Sequence, residues 1–544
     1  MTIFIGGAWP YSNYSLHLGH LAGLLPGDVI ARYYRLKGEK VLYVSGSDCH
    51  GTPVTIQASQ EKVEPKIITD KYHKEFFECF QKLGFSYDLY SRTDQSFHCQ
   101  VAQEVFLTLF NKGYICKKNV IQLYCESCSI FLPDRFVEGN CPKCGQKARG
   151  DQCDHCSALL EPVQLLNRSC KLCGGAPIEK ETEHLYFTLS KLQAELEEYV
   201  KNAEGWRENA RNESLRYLRE GLQDRAITRD LPWGVDVPLE GYEGKKIYVW
   251  IDAVCGYLSA SKQWAAERGT PEAWREYWDA DSVAYYAHGK DNIPFHTIIL
   301  PALLKCIGDL KLPDRIVSSE HLTLEGRKIS KSDNWGVWVP YILDRYDPDS
   351  IRYFLLINGP EKRDGDFSWR EFIGRHNSEL VGVFGNFVNR TLAFINKSFE
   401  GEVPKGNTDK DIKLQLEELY NTAGSSIEAG ELKAALEYII SFLRRANKYF
   451  DEQQPWATVK TDISSCNDTL YSCVQIIANL SILLEPFIPF ASHNIRAFLR
   501  LEDEKLNWRF KEFKEIKLQD IKLLFERIDA ARIEEEVAIL RNKE

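Results

Sequence analysis

Four Cys-x-x-Cys pairs lie within one short stretch and constrain the fold more than any other feature of the chain. They are Cys125/Cys128, Cys141/Cys144, Cys153/Cys156 and Cys170/Cys173, separated by 12, 8 and 13 residues. Eight thiolates can close two tetrahedral zinc sites with four cysteine ligands each. A single pair is also typical of a redox centre, but four pairs argue against that function. We therefore expect two structural zinc sites, and the spacing alone leaves open which pairs share a metal.

The N-terminal segment, the apolar runs and the net charge indicate the compartment and the partners of the protein. The first ten residues lack the basic segment, apolar stretch and cleavage site of a secretory signal. We therefore expect a cytoplasmic protein, in which thiols stay reduced. No apolar run approaches the ~20 residues of a membrane span. The net charge of −10 argues against binding nucleic acid by charge alone, although a local basic groove remains compatible with it.

Strand and helix patterns alternate at the start of the chain. Residues 3–8 resemble a buried strand, residues 16–36 have helical spacing, and residues 40–45 form a second apolar run before a turn. This order predicts a parallel α/β sheet. Ligands of such sheets bind beyond the carboxyl ends of the strands. Residues 10–20 and 46–53 should therefore lie at the binding site.

The pattern changes twice further along. The cysteine-rich character extends from about residue 114 to 231. Strand-like runs then resume at residues 246–250 and 283–287, followed by a helical pattern over residues 298–307. We infer that the cysteine-rich region is inserted into the α/β domain. From about residue 369 onward the pattern is helical, including residues 432–450, 470–484 and 521–544, which predicts a separate helical bundle.

Two short motifs carry residues suited to a nucleotide. The first is PYSN at residues 10–13 followed by HLGH at residues 17–20. A helix N-terminus offers free amides to phosphate, and two imidazoles three residues apart share one helix face. The second is KISKS at residues 328–332, where two lysines and neighbouring hydroxyls can wrap a triphosphate. Either motif alone is also common among ordinary core or surface residues.

In this order, and about three hundred residues apart, the motifs resemble the HIGH and KMSKS signatures of class I aminoacyl-tRNA synthetases. AWPYSNYSLHLGH at residues 8–20 looks like the methionyl family, whose members carry PYxNGxxHxGH. Further segments similar to that family are GSDCHGTP at 46–53, LPDRFVEGNCPKC at 132–144, TRDLPWG at 228–234, YVWIDAVCGY at 248–257 and HGKDNIPFH at 288–296. The chain is thus identified as a member of the methionyl-tRNA synthetase family.

The resemblance implies an α/β protein with a Rossmann-like parallel-sheet catalytic domain, an inserted zinc-knuckle connective domain and an α-helical anticodon-binding bundle. We expect the following division of the chain: the first catalytic half at residues 1–114, the connective insertion at 115–231, the second catalytic half at 232–324, a stem-contact region with the lysine motif at 325–380, and the anticodon-binding domain at 381–544.

The resemblance also implies a two-step reaction. Methionine is activated by ATP, with Mg²⁺, to methionyl-adenylate and is then transferred to the 3′ end of tRNA(Met), for initiation and elongation of protein synthesis. The attacking carboxylate is ionised at neutral pH and needs no general base. Transition-state stabilisation is assigned to His17, His20, Lys328 and Lys331. ATP binding is assigned to Asn13, Gly19, Lys290, Asp291 and Lys331.

A methionine pocket carries over residue by residue from the family. It comprises Trp9, Tyr11, Asp48, Arg229, Trp250, Ala253, Val254, Tyr257 and His296. Asp48 is expected to face the substrate ammonium and Arg229 its carboxylate, while aromatic walls suit the polarizable sulfur. Three positions depart from the family: Tyr14 replaces the usual glycine, and Trp9 and Val254 replace the Leu and Pro of better-known bacterial members.

The resemblance extends to the metals and the tRNA. Relatives with one zinc keep only the two inner pairs, which implies that Cys141, Cys144, Cys153 and Cys156 share one zinc and Cys125, Cys128, Cys170 and Cys173 the other. Asn386 and Arg390 match the family's anticodon-reading GN-x-x-x-R. Trp456 matches its PW, whose indole stacks on an anticodon base. Nearby Arg444, Arg445 and Lys448 are candidates for phosphate contacts.

Two other kinds of function stay open at this point. A synthetase for another apolar amino acid is one, although the isoleucyl, valyl and leucyl enzymes are much longer and a cysteinyl enzyme places its zinc near the pocket. A non-catalytic zinc-containing RNA-binding protein is the other, and the intact histidine and lysine motifs argue against it. No C-terminal OB-like module is evident, so we expect a monomer.

Overall fold

The computed structural model describes residues 1–132, 136–150, 153, 155–156, 160, 162–331, 333–514 and 516–541. Ser332 of the lysine motif and residues 133–135 of the family-like segment 132–144 lie outside the described residues. The strands in chain order are β1 (Thr2–Gly7), β2 (Lys40–Ser47), β3 (Leu89–Arg92), β4 (Ile115–Cys125), β5 (Ile130–Phe131), β6 (Val137–Asn140), β7 (Lys147–Arg149), β8 (Leu166–Cys170), β9 (Ile178–Phe187), β10 (Arg225–Ala226), β11 (Thr228–Arg229), β12 (Lys246–Ile247), β13 (Val283–Gly289), β14 (Arg315–Ser319), β15 (Leu322–Leu324), β16 (Arg327–Lys328) and β17 (Gly365–Phe367).

The helices in chain order are α1 (Leu18–Leu36), α2 (Thr52–Glu61), α3 (Pro65–Lys82), α4 (Ser96–Asn111), α5 (Gln193–Lys201), α6 (Glu208–Arg219), α7 (Val249–Glu267), α8 (Leu300–Ile307), α9 (Val339–Leu343), α10 (Pro348–Ile357), α11 (Trp369–Arg375), α12 (Asn386–Ser398), α13 (Lys410–Glu428), α14 (Leu432–Gln453), α15 (Pro455–Thr461), α16 (Ile463–Leu483), α17 (Pro489–Phe498) and α18 (Ala531–Arg541). Among the described residues, no helix combines the length and the hydrophobicity needed to cross a bilayer.

A five-stranded sheet with the order β14–β13–β1–β2–β3 organises the first half of the molecule. Every neighbouring pair is parallel, which confirms the predicted α/β sheet. Alternate residues of β1 face opposite sides, so Ile5 packs into one core and Phe4 into another. The segments that follow β1, β2 and β13 meet at the carboxyl edge of the sheet.

The cysteine-rich region is inserted in the chain between β3 and β13 of this sheet and forms sheets of its own. Strands β4 and β9 form a long antiparallel ladder from Ile115↔Phe187 to Tyr124↔Ile178. The smaller sheet β7–β6–β8 lies between them in the chain and packs on its own apolar cluster around Leu123, Phe136 and Val137. The insertion therefore has a core distinct from those of the parallel sheet.

The carboxyl-terminal half is helical, as predicted for most of its length. Helices α12–α17 share one continuous core with one face of the sheet. The pattern was misleading at two places. Residues 246–250 are a strand only in part, because β12 ends at Ile247 and α7 begins at Val249. Residues 521–544 are not one helix, because α18 begins only at Ala531.

Tertiary contacts explain the extended segment before α18. Asn377 accepts the Ile528 N–H at 2.9 Å and donates to the Ile528 carbonyl at 2.8 Å. His376 Nε2 lies 2.8 Å from the Glu526 carbonyl, and Phe525 is buried. Side chains of the helical segment His376–Gly385 thus satisfy three backbone groups of residues 526 and 528, so helix formation is not required there.

A buried ion-pair network fixes α1 against the helical bundle. The Arg352 guanidinium, fully buried, donates to Asp28 at 2.7 Å, and Arg32 Nε donates to the same carboxylate at 3.0 Å. Arg352 also donates to three backbone carbonyls, those of Leu83, Pro486 and Phe487. Although burial disfavours the charged form, the two guanidinium groups hold the pKa of Asp28 at about 2.

Replacing Arg352 with methionine should strongly destabilise the protein. Arg352→Met removes one partner of a buried carboxylate and leaves three buried carbonyls without a donor. We expect the free energy of unfolding, measured by denaturant titration, to fall by about 3–5 kcal/mol. Arg275→Met is the matched control, because Arg275 pairs with Glu272 on the surface, and it should cost less than about 1 kcal/mol. Similar losses for both variants would contradict this account.

Candidate active site

The two sequence motifs lie side by side in the fold. The Leu18 N–H donates to the Val337 carbonyl at 3.3 Å, and the Val339 N–H donates to the Leu16 carbonyl at 2.7 Å. His17 and Trp338 form the bridge between these segments. The start of α1 is therefore held next to the end of the lysine loop, defined here as residues 325–337.

A cavity of about 660 Å³ opens between these motifs, beyond the carboxyl ends of β1 and β13. The predicted site residues on its wall are Trp9, His17, Gly19, His20, Lys290, Asp291 and Lys328. Asn13 and Lys331 do not line it. Gly23 lets α1 approach the end of β13, since a Cβ there would lie 3.0 Å from the Gly289 nitrogen.

The two histidines of the first motif cap helix α1 with their own rings. The Gly19 N–H donates to His17 Nδ1 at 3.1 Å, and the His17 N–H donates to His20 Nδ1 at 3.0 Å. Since Nδ1 accepts in both rings, each neutral imidazole carries its proton on Nε2. Burial, and then the charge of Lys331, lowers the pKa of His17 to about 3. Burial also lowers the pKa of His20.

Tyr14, where the family usually has glycine, contacts the lysine loop. The Lys331 ammonium lies 5.8 Å from the centroid of its ring. The same ring packs edge-on against Trp338 at 5.0 Å. Lys331 is thus positioned over an aromatic face near the histidine pair.

Lys290 and Asp291 follow β13 directly, on the opposite wall of the cavity. Lys290 Nζ pairs with Glu320 at 2.5 Å, and this hydrogen bond raises the pKa of Lys290. The Asp291 side chain is 86% exposed and lies 3.9 Å from His321. One wall therefore carries a fixed cation and an accessible carboxylate.

The predicted methionine pocket is built around helix α7. Tyr257 and His296 are buried, and their hydroxyl and Nε2 lie 2.7 Å apart. His296 Nδ1 donates to the Asn292 carbonyl, so its Nε2 accepts from Tyr257. Burial lowers the pKa of His296 to about 4. The ring pair is therefore neutral and suited to an uncharged side chain.

Two other predicted pocket residues, Trp250 and Arg229, contact neighbouring aromatic rings. Trp250 packs on Phe295 with centroids 4.7 Å apart, and the Arg229 guanidinium lies 4.1 Å from the Tyr248 ring centroid. Ala253 and Val254 belong to the first turns of α7. Of the predicted methionine-pocket residues, Trp9 lines the cavity of about 660 Å³, whereas Tyr11, Asp48, Arg229, Trp250, Ala253, Val254, Tyr257 and His296 do not.

Asp48 follows β2, next to the backbone of Tyr11, with which it forms an isolated parallel bridge. Its Oδ1 accepts the His50 N–H at 3.2 Å. Burial, and then the charge of Asp252, raises the pKa of Asp48. A buried carboxylate in this setting is stabilised by a cationic partner.

Trp9 sits in a slot between two glycines. A Cβ at Gly46 would lie 2.3 Å from Trp9 Cζ3, and a Cβ at Gly256 would lie 2.8 Å from its Cε2. Tyr257 packs edge-on against the indole at 6.2 Å. The Trp9 Nε1 group is buried and finds no hydrogen-bond partner among the described residues. The large side chain at this departure from the family thus depends on Gly46.

Sequence reasoning missed a polar network beneath Asp48. The His50 and His98 rings donate to the two oxygens of Asp252, at 2.7 and 2.6 Å. His98 Nδ1 is 2.7 Å from the Ser259 hydroxyl. Despite its burial, Asp252 keeps a pKa of about 2 because of His50 and His98. His50 and Asp252 stood within family-like segments, but nothing in the chain order indicated that they meet.

The eight cysteines form two groups, each with sulfur atoms within 4.8 Å of one another: Cys125, Cys128, Cys170 and Cys173; and Cys141, Cys144, Cys153 and Cys156. Sulfur pairs across each group are 3.4–4.0 Å apart. Tetrahedral zinc with ~2.3 Å bonds places its sulfurs about 3.8 Å apart. The Gly175 N–H donates to Cys173 Sγ at 3.4 Å and lowers the pKa of that thiol to about 7. Both groups therefore fit zinc.

In the helical region, the three predicted anticodon residues lie close together. Asn386 donates to the Asn447 side chain at 3.3 Å. The Arg390 guanidinium lies 4.3 Å from the Phe450 ring centroid and 5.9 Å from that of Trp456. The Trp456 residue is 44% exposed, so its indole is available for stacking. Of the nearby basic residues, Arg444 pairs with Glu379 and Lys448 with Glu452.

A nucleotide-sized cavity between a histidine-capped helix and a lysine loop, on a parallel sheet, is the arrangement of class I aminoacyl-tRNA synthetases. A family model described as tRNA synthetases class I (M) matches residues 3–392, and one described as the anticodon binding domain of methionyl tRNA ligase matches residues 401–524. The chain therefore belongs to the methionyl-tRNA synthetase family.

Individual relatives agree with this assignment over the whole length. Methionine–tRNA ligase of Bacillus mycoides (strain KBAB4) is 58% identical over 540 residues, covering 99% of this chain and 98% of the relative. Methionine–tRNA ligase 2 of Bacillus anthracis is 57% identical over 98% of each chain. The structure of Mycobacterium tuberculosis methionyl-tRNA synthetase in complex with methionyl-adenylate is 26% identical, with a TM-score of 0.79, and covers 97% of this chain and 100% of that chain.

A methyl group at Gly46 should displace the Trp9 ring, and a smaller residue at position 9 should reduce this steric conflict. Gly46→Ala places a Cβ inside the Trp9 ring, which we expect to cost about 1–3 kcal/mol of stability and to raise the KM for methionine. Trp9→Leu in the same chain removes the contact with the ring but not the 2.6 Å contact of the new Cβ with the Ser91 carbonyl, so it should restore part of the stability, as measured by a double-mutant cycle. Additive losses would rule out a direct contact.

Two double variants test how the cysteines share their metals. Cys141→Ser with Cys153→Ser affects one group only, so the protein should keep one zinc per chain. Cys128→Ser with Cys141→Ser affects both groups and should leave none. Zinc is counted by elemental analysis after gel filtration. If neighbouring pairs along the chain shared a metal instead, the first variant would keep no zinc and the second would keep one.

Proposed function

We propose that this protein is a methionine–tRNA ligase that joins methionine to tRNA(Met) in two ATP-dependent steps, supporting initiation and elongation of protein synthesis. The convergence of the histidine pair and the lysine loop on one cavity carries this proposal. The relatives named methionine–tRNA ligase and the neighbour bound to methionyl-adenylate support it. We assign residues 1–114 and 232–324 to the catalytic domain, 115–231 to the connective insertion, 325–380 to stem contact and 381–544 to anticodon binding.

In the first step, the methionine carboxylate attacks the α-phosphate of ATP and pyrophosphate leaves. The Nε2–H groups of His17 and His20 donate to the phosphate oxygens as charge develops, and Lys328 and Lys331 neutralise the leaving group. Because the pKa of both imidazoles is lowered, they are neutral at neutral pH. They therefore stabilise charge as fixed donors and do not exchange protons. ATP enters with Mg²⁺.

The remaining ATP contacts are assigned from the motifs. Gly19 leaves room for the purine against the backbone, and Asp291 receives a ribose hydroxyl from the exposed edge of the cavity. Lys290 contacts the phosphates from the opposite wall. Asn13 does not line the cavity, and its assigned contact requires the turn before α1 to move toward the nucleotide when ATP binds.

Methionine is held by its charged and apolar ends separately. Asp48 pairs with the ammonium, which supplies the cation that a buried carboxylate needs, and Arg229 orients the carboxylate. The thioether lies among aromatic and small side chains, those of Trp9, Tyr11, Trp250, Ala253, Val254, Tyr257 and His296. Sulfur is polarizable and packs favourably on aromatic rings.

In the second step, a ribose hydroxyl at the tRNA 3′ end attacks the mixed anhydride and releases AMP. Trp456 stacks on an anticodon base, with Asn386 and Arg390 on the adjoining helix. The two zinc groups hold the connective insertion beside the pocket. We place a monomer of this enzyme in the cytoplasm, where its eight ligand thiols stay reduced.

Pyrophosphate exchange into ATP tests the proposal directly. Exchange should depend on methionine and should not be supported by isoleucine or cysteine. His20→Ala should lower kcat by about 10²–10³-fold, because it removes one donor to the developing charge. His493→Ala, on the exposed surface of α17, is the matched control and should retain full activity. Exchange that proceeds equally well with isoleucine, or that His20→Ala leaves unchanged, would refute the assignment.

A further inference from the structure

A short hairpin carries the first catalytic lysine to the cavity. Strand β15 pairs antiparallel with β16 across the turn Glu325-Gly326, and it pairs parallel with β17 on its other side. Both turn residues have positive φ, +49° and +74°. A positive φ suits the turn of a two-residue hairpin but is unfavourable at glutamate, so contacts from outside the hairpin help to hold this turn.

Strand β17 supplies that support through one carboxylate. Asp366 Oδ1 accepts the Thr323 hydroxyl at 2.6 Å and the Gly326 N–H at 2.8 Å. The Glu325 N–H donates to the Phe367 carbonyl at 2.9 Å, and Glu325 accepts the Trp369 N–H at 2.9 Å. The turn is therefore bound at both of its residues to the segment that contains β17.

This segment is itself fixed at its other end. The Pro360 carbonyl accepts the Glu320 N–H at 2.8 Å. Glu361 accepts the Lys433 N–H at 3.1 Å, at the first turn of α14. Because the sheet contacts and the helical bundle hold the segment, Asp366 is presented to the hairpin from a rigid base.

Asp366 does not line the ATP cavity, whereas Thr323 and Lys328 do. Thr323 pairs with Lys328 on one side and with Asp366 on the other. A displacement of the hairpin turn therefore also displaces Lys328, since only β15 separates Lys328 from Asp366. Catalysis by positioned charges is sensitive to displacements of about 1 Å.

We propose that Asp366 is a positioning residue for adenylate formation, which holds the lysine hairpin in its active geometry from outside the cavity. This role rests on the proposed function and deepens it. Asp366 lies outside the lining of the cavity that the proposed function assigns to ATP. It acts through the turn 325–326, and it should therefore affect the rate of the first step and leave methionine binding unchanged.

Two substitutions at this position separate geometry from charge. Both hydrogen bonds end on one oxygen, so asparagine can accept them with its amide oxygen while alanine cannot. In methionine-dependent pyrophosphate exchange, Asp366→Ala should lower kcat by about 10–100-fold, with the KM for methionine unchanged. Asp366→Asn should stay within about threefold of the parent enzyme. Trypsin should cleave after Lys328 and Lys331 faster in Asp366→Ala than in the other two proteins.

A matched control removes a similar pair of bonds elsewhere. Asp409 accepts the N–H groups of Asp411 and Ile412 at the start of α13, and Asp409→Ala should leave exchange and loop cleavage unchanged. Equal impairment of Asp366→Asn and Asp366→Ala would overturn the proposal, and so would a loss of kcat matched by an equal rise in the KM for methionine. Absence of methionine-dependent exchange in the parent protein would instead refute the function, and the cleavage rates would still report on the hairpin.

Discussion

Two backbone hydrogen bonds between residues 16–18 and 337–339 hold the active site together. His17 and His20 follow β1 at the carboxyl edge of the parallel sheet, whereas the lysines lie in and after a hairpin outside that sheet. Pairing Leu16 and Leu18 with Val339 and Val337 joins the two. Packing of Tyr14 and His17 on Trp338 reinforces the same junction. Without this junction, the chain would contain both motifs but no common cavity.

The charge distribution in the cavity follows from how helix α1 begins. The His17 and Gly19 N–H groups at its start donate to imidazole Nδ1 atoms. The Nε2 atoms of both rings therefore carry the protons. Burial lowers the pKa of both rings and keeps them uncharged. The positive charge among the residues that line the cavity comes from Lys290, which is paired with Glu320, and from the exposed Lys328. The site thus combines neutral imidazole donors with one paired and one exposed cation.

The sequence predicted well those features that depend on local order. The parallel sheet, the cysteine insertion and the residues after β1, β2 and β13 follow from strand and helix patterns plus one rule of sheet topology. It failed for residues 249–250, which begin α7, because a short apolar run suits a strand and a buried helix equally. It failed also for residues 521–530, where the side chains of His376 and Asn377 bind backbone groups of Glu526 and Ile528.

Contacts between distant residues of unremarkable type could not be predicted. The Asp252 network joins residues 50, 98 and 259 through single hydrogen bonds. The Trp9 slot depends on two glycines that are 210 positions apart in the sequence. Asp366 resembles any surface aspartate until its hairpin is seen. No periodicity marks such pairs, since each depends on the geometry of the folded chain.

The nested order of the cysteines affects how the insertion assembles. The inner ligands span 16 residues, from Cys141 to Cys156, and the outer ligands span 49, from Cys125 to Cys173. Closing the longer loop costs about 1 kcal/mol more in chain entropy. On the ribosome, all inner ligands emerge before Cys170, so the inner knuckle can capture its metal while the outer one still lacks half its sulfurs. The order of synthesis therefore favours metal loading from the inside outward.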